Sequence, residues 1–114
     1  MKTKKLAENY LERIPVRKAN LRWTTDEAGL VTLEVDNKGA FNRVAQVLFK
    51  KPKVSFVHLD EFGSFVWQQI DGQRDITALG ELVDAHFHEK VHPLYERLAQ
   101  YCKILESYGF VQYQ

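Results

Sequence analysis

Leu59-Asp-Glu-Phe-Gly-Ser-Phe-Val-Trp-Gln-Gln-Ile-Asp-Gly72 opens a run of three closely spaced helices, and its reading decides the fold. Asp60 stands where a side-chain cap is needed. Phe62, Phe65, Val66 and Ile70 recur behind it at helical spacing, and Asp71-Gly72 supplies a left-handed stop. Asp75 caps a second helix whose apolar face is Ile76, Leu79, Leu82, Val83 and Phe87. Pro93 fits the first turn of a third, which carries Leu94, Leu98, Tyr101, Cys102 and Leu105 and ends at Gly109. The three make a compact unit of the helix-turn-helix type. Units of that kind bind far more often than they catalyse.

Upstream the period changes from helical to alternating. Leu21, Trp23 and Thr25 alternate with Arg22 and Thr24, Asp26-Glu-Ala-Gly29 makes a turn, and Val31, Leu33 and Val35 alternate with Thr32, Glu34 and Asp36. This is a hairpin. Asn37-Lys-Gly39 ends it, and Phe41, Val44, Ala45 and Leu48 predict a short amphipathic helix closed by Lys50-Lys51-Pro52-Lys53. Val54-Ser-Phe-Val-His-Leu59 gives a third strand that runs directly into Asp60. The fold class is therefore α+β, a winged-helix-like arrangement of a three-stranded antiparallel sheet followed by a three-helix bundle. Residues 20–114 form that domain. Residues 1–19 read as a basic arm in which Leu6, Tyr10, Leu11 and Ile14 could make a short helix that Pro15 stops.

With 114 residues and 45% apolar content, the chain can bury one core and has no room for a second. No stretch approaches the roughly 20 apolar residues of a membrane span, and the N-terminus lacks the apolar region of a signal peptide. The expected location is the cytoplasm, with no membrane partner. The single cysteine, Cys102, excludes an internal disulfide and a cysteine-rich metal site.

Net charge is +1, but the two halves differ. Residues 1–53 hold 12 Lys/Arg against 6 Asp/Glu, a net +6, and residues 54–114 hold 4 against 9, a net −5. The second helix carries Asp75, Glu81 and Asp84 without a cation, and the third is balanced. A helical unit with that charge is wrong for a duplex, whose phosphates need Lys and Arg laid against them.

The succession Val57-His-Leu59-Asp-Glu-Phe-Gly63, Val66-Trp67, Asp71-Gly72, Ile76, Leu79 and Leu105-Glu-Ser-Tyr-Gly109-Phe-Val resembles the PqqD family of peptide chaperones, named for pyrroloquinoline quinone biosynthesis. The resemblance covers about the last 60 residues well and the hairpin loosely. It implies a small winged-helix fold that holds the leader segment of a ribosomally made precursor peptide. The leader would add a strand beside the third strand and pack against the third helix. It also implies a partner enzyme of the radical S-adenosylmethionine class, whose iron–sulfur cluster this chain cannot itself ligate. The segment Ala40–Lys53 is longer than a simple strand connection in the family, and the basic arm has no equivalent there.

The residues support the same mechanism. A three-stranded sheet has two edges, and an edge offers unpaired N–H and C=O groups to an extended peptide. The candidate peptide-binding residues are Val54, Ser55, Phe56, Val57 and His58 on the third strand, with Arg97, Tyr101, Ile104 and Tyr108 as a stripe on the third helix. Tyr101 and Ile104 read equally well as core. Proline at Val57, with Ser55 taken as the opposite register, is the substitution expected to interrupt strand addition. Lys50, Lys51 and Lys53 could attract an acidic leader, though a charge run beside a loop is more often a solvated face.

No catalytic constellation emerges. His86, His88 and His92 have a spacing that suggests a metal, but the first two would point about 200° apart on a continuing helix. His58 beside Asp60 resembles an acid–base pair, yet Asp60 is better employed as a cap. The chain therefore reads as a non-enzymatic module without cofactor or metal, a monomer or weak homodimer. The alternatives are a winged-helix DNA-binding protein that uses its hairpin or arm, and a dimerisation domain whose strand edge pairs with itself.

Overall fold

The computed structural model describes residues 10–36 and 54–114. The short helix expected over Phe41–Leu48, residues 1–9 and Lys50, Lys51 and Lys53 lie outside the described residues. The chain divides into two units, residues 20–64 and residues 1–19 with 65–114. The fold is α+β.

In the first unit, β2 (Arg22–Thr25), β3 (Val31–Asp36) and β4 (Val54–His58) form an antiparallel sheet in the order β2-β3-β4. The hairpin turns as its sequence requires. Gly29 adopts φ +84°, and the Asp26 carboxylate accepts from the N–H groups of Ala28 and Leu30, both at 2.9 Å. Alternation puts Val31 and Leu33 in the core and leaves the intervening residues partly solvated. The strand β4 then meets helix α1 (Glu61–Gln69), whose N-terminus Asp60 caps by accepting from Gly63 N–H at 2.7 Å. Ser64, only 2% exposed, accepts from Val31 N–H at 2.7 Å and donates to the Leu59 carbonyl at 3.3 Å. Its hydroxyl therefore replaces one of the two backbone bonds of the last β3–β4 rung. The other, Leu59 N–H to Val31 C=O, is direct at 2.9 Å.

The second unit holds the rest of α1, α2 (Ile76–Phe87), a 3₁₀ turn (His88–Val91) and α3 (Leu94–Ser107). A two-stranded sheet of β1 (Pro15–Arg17) and β5 (Val111–Tyr113) completes it. Gly72 and Gly109 both sit at φ +79°, where the sequence placed its helix stops. Asp75 caps α2 by accepting from Ala78 N–H at 2.8 Å, and Pro93 precedes the first residue of α3 as its N-cap. The core includes Val66, Trp67, Ile70, Ile76, Leu79, Val83, Leu98, Cys102 and Leu105. Gly80 lies against the Tyr95 ring, which occupies the place of a side chain at that position. Among the described residues no helix is long and apolar enough to cross a membrane.

Residues 15–17, read from sequence as part of a basic arm, are a strand. Their segment also completes α2, because the carbonyls of Arg13 and Leu11 accept from Ile76 and Thr77 N–H at 3.1 and 3.2 Å. Those donors would otherwise be orphans of the first helical turn. Tyr10 is buried, its hydroxyl hydrogen-bonded to that of Tyr113, and the Arg13 guanidinium lies 3.9 Å above the Tyr113 ring.

Candidate functional site

The direction of each backbone group on β4 follows from its ladder. Leu59 N–H bonds to Val31 C=O, so that pair exchanges hydrogen bonds, and antiparallel pairs alternate in this respect. Val57 opposite Leu33 and Ser55 opposite Val35 therefore direct their N–H and C=O groups toward β3. Phe56 and its neighbours Val54 and His58 direct theirs away. On that side, among the described residues, β4 has no partner strand.

This corrects the expectation that Val57 and Ser55 cover both registers. Residues two apart on a strand share one orientation, so proline at either would damage the β3–β4 ladder itself. Phe56 and His58 are the positions whose outward groups sit beside strand positions on both flanks or at the end of the strand.

The side chains divide by the same alternation. Phe56, 59% exposed, and His58 stand on the outer face, while Ser55 and Val57 are half-buried on the other. Among the described residues, two polar pairs lie on this face beside Phe56. Arg22 and Glu34 pair at 3.1 Å, and His58 Nδ1 lies 3.0 Å from Thr32 Oγ1.

In the other unit, Arg97, Tyr101, Ile104 and Tyr108 follow one another along α3 and its C-cap at spacings that keep them on one stripe. Leu98, Cys102 and Leu105 take the buried face, and the stripe faces outward. Ile104 is 45% and Tyr108 70% exposed, which removes the core reading for Ile104. Tyr101 is half-buried. Tyr108 stacks on Phe110 at 5.6 Å, and Arg97 donates to the Lys90 carbonyl at 2.9 Å.

The histidines have ordinary structural surroundings. His86 stacks on Phe65 at 4.3 Å, His88 occupies the C-cap of α2 at φ +57°, and His92 Nε2 lies 3.1 Å from Asp84 Oδ1. Among the described residues, no group of three His, Cys, Asp or Glu side chains is placed to hold a metal ion. Asp60 serves Gly63 as a cap, as its position in the sequence required.

Sequence reasoning missed the outward register of β4 and the Ser64 bridge. Alternation reveals which face a side chain takes and leaves the direction of the hydrogen bonds to the partner strand. Against this geometry, the family model described as Coenzyme PQQ synthesis protein D (PqqD) matches residues 45–111, more than half of the chain. The chain belongs to the PqqD family. The matched span includes β4, all three helices and the first residue of β5. Membership makes this PqqD-family chain an accessory protein of coenzyme PQQ or related peptide-derived biosynthesis. No curated protein and no solved structure matches it.

Proposed function

We propose that this chain is a non-catalytic winged-helix peptide chaperone of the cytoplasm. It binds the leader of a ribosomally synthesised precursor peptide by strand addition to β4 and presents it to a modifying enzyme of the radical S-adenosylmethionine class. The observation that carries the reading is the outward-facing row of backbone groups at Val54, Phe56 and His58. An extended peptide satisfies such a row whatever its sequence, and side chains then add selectivity. Family membership supports the same role. Ser55 and Val57 hold β4 in its sheet.

The test is calorimetric titration of a synthetic peptide selected from a random display library for binding to the chain. Phe56→Pro deletes an outward N–H and leaves the β3 ladder intact, so an acceptor of the peptide goes unmatched. The cost is about 1–3 kcal/mol, roughly five- to 150-fold in Kd. Val57→Pro instead removes a bond within the sheet and lowers the melting temperature. Undiminished affinity in a folded Phe56→Pro protein contradicts strand addition.

A further inference from the structure

We infer that Phe56 selects the bound peptide, requiring an uncharged apolar residue, aromatic or β-branched, at the position directly opposite it. The inference rests on strand addition to β4 and deepens it. Phe56 presents its N–H and C=O to the side of β4 that has no partner strand among the described residues, and its side chain to the outer face. A strand added there places the residue opposite Phe56 on that same face, within side-chain contact. Phe56 is directly across from Glu34 and two residues from His58, so a polar neighbour could in principle set the preference. Both are engaged, however. Glu34 neutralises Arg22 at 3.1 Å, and His58 is hydrogen-bonded to Thr32 at 3.0 Å. Among the described residues of this face, these paired groups therefore offer an incoming ion no unmatched counter-charge. What remains for an incoming side chain is a phenyl ring that is 59% exposed, and only an apolar partner gains by covering it.

The opposite face of β4 offers no comparable selector. Ser55 and Val57 are half-buried and small, so a peptide side chain on that face meets less exposed apolar surface. Among the described side chains of β4, apolar selectivity thus concentrates at Phe56.

A display library of short random peptides, selected in parallel on the wild-type chain, Phe56→Glu and Phe56→Lys, tests this. The wild-type pool should converge on one apolar position. On Phe56→Glu that position should turn to Lys or Arg, and on Phe56→Lys to Asp or Glu, with the other positions unchanged. Synthetic peptides from the wild-type pool should lose roughly fivefold in affinity for Phe56→Ala, the scale of one cross-strand aromatic pair. The same apolar position selected by all three proteins, or no positional preference, overturns the role of Phe56. If those peptides also fail to bind Phe56→Pro, strand addition survives that result. Peptides that bind Phe56→Pro as well as wild type, or a selection that yields no binder, count against strand addition and the inference together. Thermal melts of each variant establish that the exposed substitutions leave the fold intact.

Discussion

Replacing Ser64 with alanine removes a single oxygen, and the structure makes that oxygen the closing element of the β3–β4 ladder. The hydroxyl accepts from Val31 N–H at 2.7 Å and donates to Leu59 C=O at 3.3 Å. Val31 is 1% and Ser64 2% exposed, so water cannot take the hydroxyl's place without opening the sheet. An orphaned buried N–H costs about 1–3 kcal/mol, and the longer contact to Leu59 adds less. Ser64→Ala should therefore destabilise by about 2–3 kcal/mol. That lowers the melting temperature by about 10 °C in a domain of this size. Ser107 is the matched control, an exposed serine whose hydroxyl donates to the Ile104 carbonyl at 2.8 Å. Ser107→Ala should cost less than about 0.5 kcal/mol. Urea denaturation followed by circular dichroism measures both, with an unchanged m-value showing that the unfolded state is not the cause. Hydrogen exchange at Val31 and Leu59 should accelerate in the Ser64 variant, because the last rung is what the hydroxyl closes. A loss below about 0.5 kcal/mol at Ser64 refutes the bridge as a structural element.

Gly80→Ala should destabilise by about 1 kcal/mol in the wild-type background. The new methyl displaces the Tyr95 ring and its hydrogen bond to the Thr77 carbonyl, outweighing a helix-propensity gain of similar size. In a Tyr95→Ala background the same change should stabilise, and thermal melts of the four proteins give the sign. Alkaline titration should show stability that is flat below about pH 9 and falls as the pH rises toward 12. Burial holds the Tyr113 hydroxyl and the Cys102 thiol up to about 12 and raises Tyr10 as well. The unfolded chain thus releases these protons at lower pH and is favoured as the pH climbs. Tyr10→Phe and Tyr113→Phe should each cost about 1 kcal/mol by removing the hydrogen bond between the two hydroxyls, and the double variant less than their sum. Denaturant curves between pH 7 and 12 read both effects, and additive losses would show that the pair does not act as one.

What was legible in the sequence is what local chemistry decides. Asp60 and Asp75 announce their helices because a carboxylate three residues before an amide is the cap itself. Asp26 and Gly29 fix the hairpin by the same short-range means. Pairing of β1 with β5 was not legible, since two three-residue strands at opposite ends of the chain carry too little alternation to announce each other. Pro15 suggested only the end of a helix. The α3 stripe could be found from its spacing, but whether Ile104 was core or surface depended on which face Leu98, Cys102 and Leu105 bury. The same limit hid the direction of the β4 backbone groups, which alternation at Phe56 and Val57 leaves open until the partner strand is known.

Strand addition is tested most directly at the backbone amides themselves. Hydrogen exchange, followed by NMR on the folded chain with and without a saturating peptide from the display selection, reports each N–H of β4 separately. The peptide should slow exchange at Phe56 and His58, and at Val54 where the pairing extends that far. Ser55 and Val57 should be protected already by β3 and change little. Unaltered exchange at Phe56 and His58 in a saturated complex would contradict strand addition.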